Sequence, residues 1–355
     1  MSQTVLITGG AGFIGCHLSR ALLQRGDRVV VFDNLHPQVH TSTGWPKDLP
    51  AGVDFISGDV THAPNWETVF RLHRPEAIVH LAAETGTGQS LVEANRHAAV
   101  NVSGTAQLLD ALNRIGHVPR QFVLTSSRAV YGDGSWRDGE GSVFYPCGRS
   151  REQLAAKTWN HQGPTGSPAE PLPSIAGKTH PNPISIYGAT KLAQEQMLAT
   201  WARAFGAGVT VLRLQNVYGP GQSVGNPYTG VLTLFARLAR ERRTLDIYED
   251  GHIVRDFVHV MDVVAAILGT TAKPVNSVQT FDIGSGVPTT IGEVARQIAK
   301  LCNAPEPLVS GKFRDGDVRA ASCVINDARQ ALGYEPKWVL EQGLQSVIDS
   351  IARTT

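Results

Sequence analysis

Tyr187 and Lys191 stand four residues apart, which puts a phenol and an ammonium on one face of a helix. A neighbouring cation favours phenolate. The pair therefore predicts a tyrosine able to act as a base near neutral pH, where a free phenol with a pKa of about 10 would not. Ser127 is the third candidate, in the segment Thr125-Ser126-Ser127-Arg128-Ala129-Val130-Tyr131-Gly132 that follows the apolar run Phe122-Val123-Leu124. A hydroxyl at the C-terminal end of a strand faces the crevice where open α/β sheets bind ligands, and there it can hydrogen-bond a substrate oxygen. Base, cation and hydroxyl together suit proton transfer at that oxygen.

A second set of residues points to a dinucleotide. Gly9, Gly12 and Gly15 are spaced G-x-x-G-x-x-G between an apolar run and a helical pattern that opens at Phe13 and Ile14. Glycines there permit a tight turn and let backbone N–H groups approach a pyrophosphate at the helix N-terminus. Asp33 follows Gly15 by 18 residues and closes the second strand, where a carboxylate can bind the adenosine ribose. Its charge would repel a 2′-phosphate, so NAD is expected over NADP. Asp59 ends the third strand and can accept from the adenine amino group. Leu81, Ala82 and Ala83 end the fourth strand and are small enough for a cofactor to lie across the strand tips. Asn34, Val60 and Asn101 complete the predicted cofactor contacts, and His80 is read as structural.

These residues need a frame. Val5-Leu6-Ile7, Arg28 to Phe32, Asp54 to Ser57, Ala77-Ile78-Val79, Phe122-Val123-Leu124 and Gly208 to Leu214 are short apolar runs. Helical patterns lie between them, the longest over about 91–115 and 185–204. Strands this apolar, alternating with helices, predict a doubly wound parallel sheet covered on both faces, a Rossmann-type α/β fold. The NAD-binding domain is expected over 1–215 and about 255–280, and a smaller C-terminal α/β lobe over 216–254 and 281–355. Residues 132–183, rich in Gly, Pro and Ser, break the alternation and read as a flap or a partly ordered insertion.

Composition narrows the classes. The chain has 355 residues, 42% of them hydrophobic, and a net charge of +1. That is enough to bury a large core, and the charge gives no sign of nucleic-acid or membrane capture. Apolar runs are too short to cross a membrane. Met1 to Thr4 enter an apolar run with no basic leader, and Cys16, Cys147, Cys302 and Cys323 form no C-x-x-C pair. Both features predict a reduced, cytoplasmic protein without a metal site.

Over nearly its whole length the chain resembles the extended short-chain dehydrogenases/reductases of the nucleotide-sugar epimerase/dehydratase group. The glycine motif, the His80-Leu81-Ala82-Ala83 segment, Ser127, Tyr187 and Lys191 match that family's cofactor and catalytic positions. Arg213-Leu214-Gln215-Asn216-Val217-Tyr218-Gly219-Pro220 is similar to its R-x-x-N-x-Y-G-P turn, which implies that Asn216 contacts a substrate diphosphate. Arg255-Asp256-Phe257-Val258-His259-Val260 and Arg314-Asp315-Gly316-Asp317 are similar to two further segments, implying that Arg255 and Arg314 hold the same nucleotide. Both guanidiniums are planar forks suited to phosphate oxygens; the plain alternative is ion pairing with Asp256 or Asp317.

The resemblance also sorts the reactions. Family dehydratases carry Asp-Glu after the catalytic hydroxyl, and this chain has Arg128-Ala129, which disfavours dehydration. A 4-epimerase fits: Tyr187 takes the C4 hydroxyl proton, hydride passes to NAD, and the 4-ketose turns before hydride returns to its other face. Glu84, Thr85, Gly86 and Thr87 would flank the sugar. Arg128 either contacts the substrate or packs under the insertion. The SSRAVYG and AETGTGQS segments with the long insertion resemble the dTDP-L-rhamnose 4-epimerase subgroup. UDP-hexose 4-epimerases and CDP-tyvelose 2-epimerases are near alternatives. A net reductase or dehydrogenase would use the same triad, and a non-catalytic NAD sensor would be expected to lack part of it. The resemblance further implies a homodimer formed by the two long helices.

Overall fold

A computed structural model describes residues 2–40, 44–223 and 230–353. Its centre is a sheet of seven parallel strands in the order β13-β9-β5-β4-β1-β2-β3. These are β1 (Thr4–Thr8), β2 (Arg28–Asp33), β3 (Asp54–Ser57), β4 (Ala77–His80), β5 (Gln121–Ser127), β9 (Val209–Leu214) and β13 (Val278–Ile283). Each predicted apolar run is a strand. Successive side chains alternate between two cores. Val5, Ile7, Val29 and Val31 pack with Leu18, Leu22, Val263 and Ile267 on one face. Leu6, Val30, Phe32 and Ile78 pack with Trp66, Phe70, Leu108, Leu112 and Trp201 on the other. Helices Phe13–Arg25 and Val260–Ala272 thus cover one side, and Ala63–Leu72, Gly104–Arg114 and Ile186–Phe205 the other. The strand order reverses between β1 and β4, and the crevice at such a reversal is where doubly wound sheets bind ligands.

Between β5 and β9 the chain leaves the sheet. The stretch 132–183 is built rather than partly ordered: β6 (Trp136–Asp138) lies antiparallel between β7 (Val143–Phe144) and β8 (Ala169–Pro171), followed or preceded by turns and one short helix, Arg151–Ala155. Trp136 is fully buried and meets the His161 ring edge-on at 4.8 Å. Strands of two or three residues are too short to display an alternation.

The C-terminal portion adds a smaller sheet, β10 (Asn216–Tyr218), β12 (Val254–His259) and β14 (Pro288–Thr290), with β16 (Ala320–Ala321) beside β12. A two-stranded pair, β11 (Asp246–Ile247) and β15 (Leu308–Val309), stands next to it. Helices Val231–Arg240, Ile291–Leu301 and Leu340–Ala352 close a third core around Leu232, Phe235, Val294, Ile298 and Leu344. Among the described residues no helix is long and apolar enough to cross a membrane.

Candidate active site

The glycine turn sits at the strand-order reversal. Gly9 has φ of 66°, and a Cβ there would lie 2.7 Å from the Ala82 nitrogen. Only glycine lets the tips of β1 and β4 approach this closely. At Gly15 a Cβ would lie 2.5 Å from Gly10, so the helix starts tight against the turn. That helix begins at Phe13 with no side-chain cap, which leaves its first N–H groups for a ligand. The Asp33 carboxylate accepts from Ala11 N at 3.0 Å and Leu35 N at 2.8 Å, tying the turn to the loop after β2. Asn34 donates to Asp59 at 2.9 Å.

One cleft of about 930 Å³ gathers Gly9, Gly12, Phe13, Ile14, Gly15, Asp33, Asn34, Val60, Leu81, Ala82 and Ala83 with Glu84, Thr85, Ser127, Tyr187 and Lys191. Gly58 and Val60 line it, and Asp59 does not. His80 lies beneath, fully buried between Thr8 Oγ1 at 2.6 Å and Thr105 Oγ1 at 3.1 Å. Burial, reinforced by the charge of Lys191, pushes its pKa down to about 3 and keeps it neutral.

Ser127 ends β5, and a 3₁₀ turn, Arg128–Tyr131, follows it. The helix carrying Tyr187 packs directly on that turn: a Cβ at Gly188 would lie 2.4 Å from the Ala129 carbonyl oxygen. This close packing sets the Tyr187 phenol beside Ser127 in the same cleft. Burial raises the phenol's pKa, while the Ser127 hydroxyl and the Arg128 charge pull it back. The four-residue spacing predicts depression by Lys191. In the structure burial outweighs any cation, and the cation opposing it is Arg128. Lys191 is itself 2% exposed, and burial pulls its ammonium down to about 7 against the opposing charge of Glu195. Glu195 is held by Arg213 at 2.6 and 3.0 Å and by the Ser126 hydroxyl.

The predicted phosphate-binding residues divide. Arg128 Nε donates to Asn216 Oδ1 at 2.8 Å. Arg255 is 5% exposed and pairs with Asp317 at 2.7 Å, the plain alternative named above. Asp256 is engaged elsewhere, by Ser285 and Gly286. Burial and then the Arg255 charge push the Arg128 pKa down to about 9, against the favourable charge of Asp317. The charge of Arg255 thus weighs against that of Arg128, an arrangement suited to an added anion. Arg314 is exposed; its guanidinium lies over the Tyr248 ring at 5.2 Å, while its carbonyl accepts from the Asp317 N–H at 3.3 Å.

Beyond β4, the Asn101 amide accepts from Glu84 N at 2.8 Å and donates to Glu84 O at 3.0 Å and Thr190 Oγ1 at 2.9 Å. Those bonds occupy Asn101 with the loop rather than the cleft. It lies in a wider-wound turn, Ala98–Ser103, inside the long helical stretch. Gly86 and Thr87 begin the next short turn and do not line the cleft. Sequence reasoning missed Gln38 and Arg96, which do line it. Gln38 meets Gln89 and Arg96 across 51 and 58 residues, which no spacing marks, and the local Glu93–Arg96 pair at i,i+3 reads as an ordinary helix-surface pair.

The NAD dependent epimerase/dehydratase family model matches residues 5–284. The chain is 50% identical to the dTDP-L-rhamnose 4-epimerase of Burkholderia thailandensis, over 99% of this chain and 95% of that protein. It is 30% identical to the UDP-glucose 4-epimerase of Mycolicibacterium smegmatis, over 97% of each. Among solved structures, the UDP-glucose 4-epimerase of Thermotoga maritima with UDP-glucose superposes with a TM-score of 0.80 at 32% identity, covering 99% of both chains. The Thermus thermophilus UDP-glucose 4-epimerase complex with NAD has a TM-score of 0.77 at 28% identity, covering 99% of this chain and 100% of that one. By sequence, fold and cleft, the chain belongs to the NAD-dependent epimerase/dehydratase family.

Proposed function

We propose that this enzyme interconverts dTDP-L-rhamnose and dTDP-6-deoxy-L-talose, inverting C4 through a 4-keto intermediate. The observation that carries the choice of sugar is the 50% identity to a dTDP-L-rhamnose 4-epimerase over 99% of the chain. Arg128 and Ala129 stand where a dehydratase would need two carboxylates. NAD fits the cleft: Gly9 and Gly15 let the turn close against Ala82 and Gly10, and the uncapped helix start at Phe13 suits a pyrophosphate. Bound there, NAD supplies a two-electron acceptor that makes oxidation at C4 reversible without net consumption.

The chain's own residues do the rest. Tyr187 takes the proton from the C4 hydroxyl and later returns one. Ser127, which lines the cleft beside the phenol, orients that oxygen. For the phenolate to form and take that proton, the phenol's pKa must fall from its raised value, and Arg128 is the cation placed to lower it. Arg128, Asn216 and Arg255 hold the diphosphate while the ketose turns, with Arg314 at the rim. Glu84 and Thr85 flank the sugar. The enzyme works in the cytoplasm as a homodimer and needs neither nucleic acid nor membrane.

The test is product analysis by NMR with 4-deuterated dTDP-L-rhamnose, beside UDP-glucose and UDP-galactose. The expected result is the talo product from the dTDP sugar alone, with deuterium retained at C4 and no NADH accumulating. Stoichiometric NADH would mark a dehydrogenase. Label lost to solvent would mean direct deprotonation at carbon. Preferential turnover of the UDP sugars would overturn the choice of substrate.

A further inference from the structure

In the central sheet β1 lies between β4 and β2, and the glycine turn is at its tip. The loops after β2 and after β4 therefore flank anything bound on that turn. They are not independent. Gln38, on the loop after β2, and Gln89, in the short helix beyond β4, exchange two amide hydrogen bonds of 3.1 Å each. Arg96 reaches the same Gln38 oxygen at 2.8 Å, and with that one terminal nitrogen also binds Glu84 at 2.8 Å. Its other terminal nitrogen binds Glu93 at 2.8 Å, and Glu93 in turn accepts from Gln89 at 3.1 Å. Gln38, Glu84 and Arg96 line the same cleft as the glycine turn.

We propose that Gln38, Gln89, Arg96 and Glu84 form a clasp across the cleft that retains the dinucleotide between the two hydride transfers. The inference rests on the reading of the chain as an epimerase that recycles its NAD. Such an enzyme must not release NADH while the sugar is a ketone, because escape at that stage strands the intermediate. A bridge from the β2 side to the β4 side passes over the tip of β1 and blocks the way out. It is made of polar side chains rather than packed core, so it can open for loading. Gln89 is 2% exposed and Arg96 is partly buried, which gives the bonds some shelter from water. Because Arg96 also holds Glu84, closing over the cofactor and shaping the sugar loop become one event.

The test uses the purified full-length enzyme with its NAD. Gln89→Leu removes both amide bonds to Gln38 while keeping much of the side-chain volume, and Arg96→Met removes the guanidinium bonds. NAD content after purification, and the rate of NAD release into a large volume, are measured with no sugar present. Release should quicken roughly fivefold to thirtyfold in each variant. A second arm supplies dTDP-L-rhamnose with lactate dehydrogenase and pyruvate. Escaped NADH then reduces pyruvate to lactate while the sugar is left as the 4-ketone. Lactate should form with the variants and not with the native enzyme. Release rates equal to native in both variants would overturn the clasp. If Arg96→Met does not fold, Gln38→Leu replaces it. The release measurement needs no substrate, so a wrong sugar assignment would appear separately, as native enzyme that holds NAD but does not turn over.

Discussion

At the scale of single residues, the phenol of Tyr187 carries a conflict. Burial raises its pKa, whereas base catalysis requires that it fall. Ser127 and the charge of Arg128 oppose burial in this structure, and Arg128 is the one cation among them, directly after Ser127. Arg128→Met should therefore raise the phenol's pKa further. The active form is the phenolate, so the acid limb of the kcat profile should move to higher pH, with activity restored as pH rises. A limb that stays in place in the variant would remove Arg128 from the control of the base. Tyr187→Phe should fold, keep NAD and lose turnover by about 10²–10⁴-fold, measured by NMR of the sugar products. Asp33 makes a separate prediction. Its carboxylate is anchored by Ala11 N and Leu35 N, so it cannot swing away from a 2′-phosphate. NADP should bind at least about tenfold more weakly than NAD in a competition titration, one such contact being worth of the order of 1.4 kcal/mol. Equal affinities would sink this assignment.

At the scale of elements, the insertion over 132–183 is anchored by charge. The side chains of Arg149 and Glu249 are each 1% exposed and pair at 2.8 Å. Arg149 also donates to the Asp317 carbonyl at 2.8 Å, and Arg319 joins Glu249, Asp250 and Asn160 at 2.7–2.9 Å. Asp317 is the partner of Arg255, so the insertion braces the segment that holds the Arg255 guanidinium. Arg149→Met leaves Glu249 buried with Arg319 alone. It should cost about 3 kcal/mol of stability by thermal or denaturant unfolding, the lower part of the range for breaking a buried pair. A melting temperature unchanged from native would show that the insertion is held by other contacts. None of this was legible in the sequence, because Arg149 and Glu249 are 100 residues apart and the insertion's strands are too short to show a period. The parallel strands were legible, since burial on both faces demands unbroken apolar runs such as Val29-Val30-Val31-Phe32. Tyr187 and Lys191 were legible because a helix converts their spacing into a shared face. Gln38 and Gln89 were not, because two glutamines 51 residues apart carry no pattern until the sheet brings their loops together.

At the scale of the whole molecule, two neighbouring helical stretches have outer sides that no other described element covers. Helix Ile186–Phe205 and the stretch from Ala94 to Arg114 pack side by side, joined by a hydrogen bond of 2.9 Å from Trp201 to Asn113. On their outer sides Ala94, Ala98 and Ala189 are exposed, and Val102, Ala106, Leu192, Ala193 and Met197 are only partly buried. Small apolar side chains let helix backbones approach to about 8–10 Å, and two such pairs from two copies would form a four-helix interface. A specific dimer buries about 1,200–2,000 Å² in all, which two paired helices of this length can supply. Sedimentation should therefore report a mass roughly twice the 38.1 kDa of one chain. Ala193→Glu places a carboxylate on that face, and its desolvation on assembly should shift the species towards monomer at micromolar concentration. Circular dichroism of the variant should remain native in shape, since residue 193 packs only partly against the chain's own core. A double variant, Ala98→Glu with Ala193→Glu, that still sediments as a dimer would place the contact elsewhere. A native enzyme that sediments as a monomer would exclude the dimer altogether.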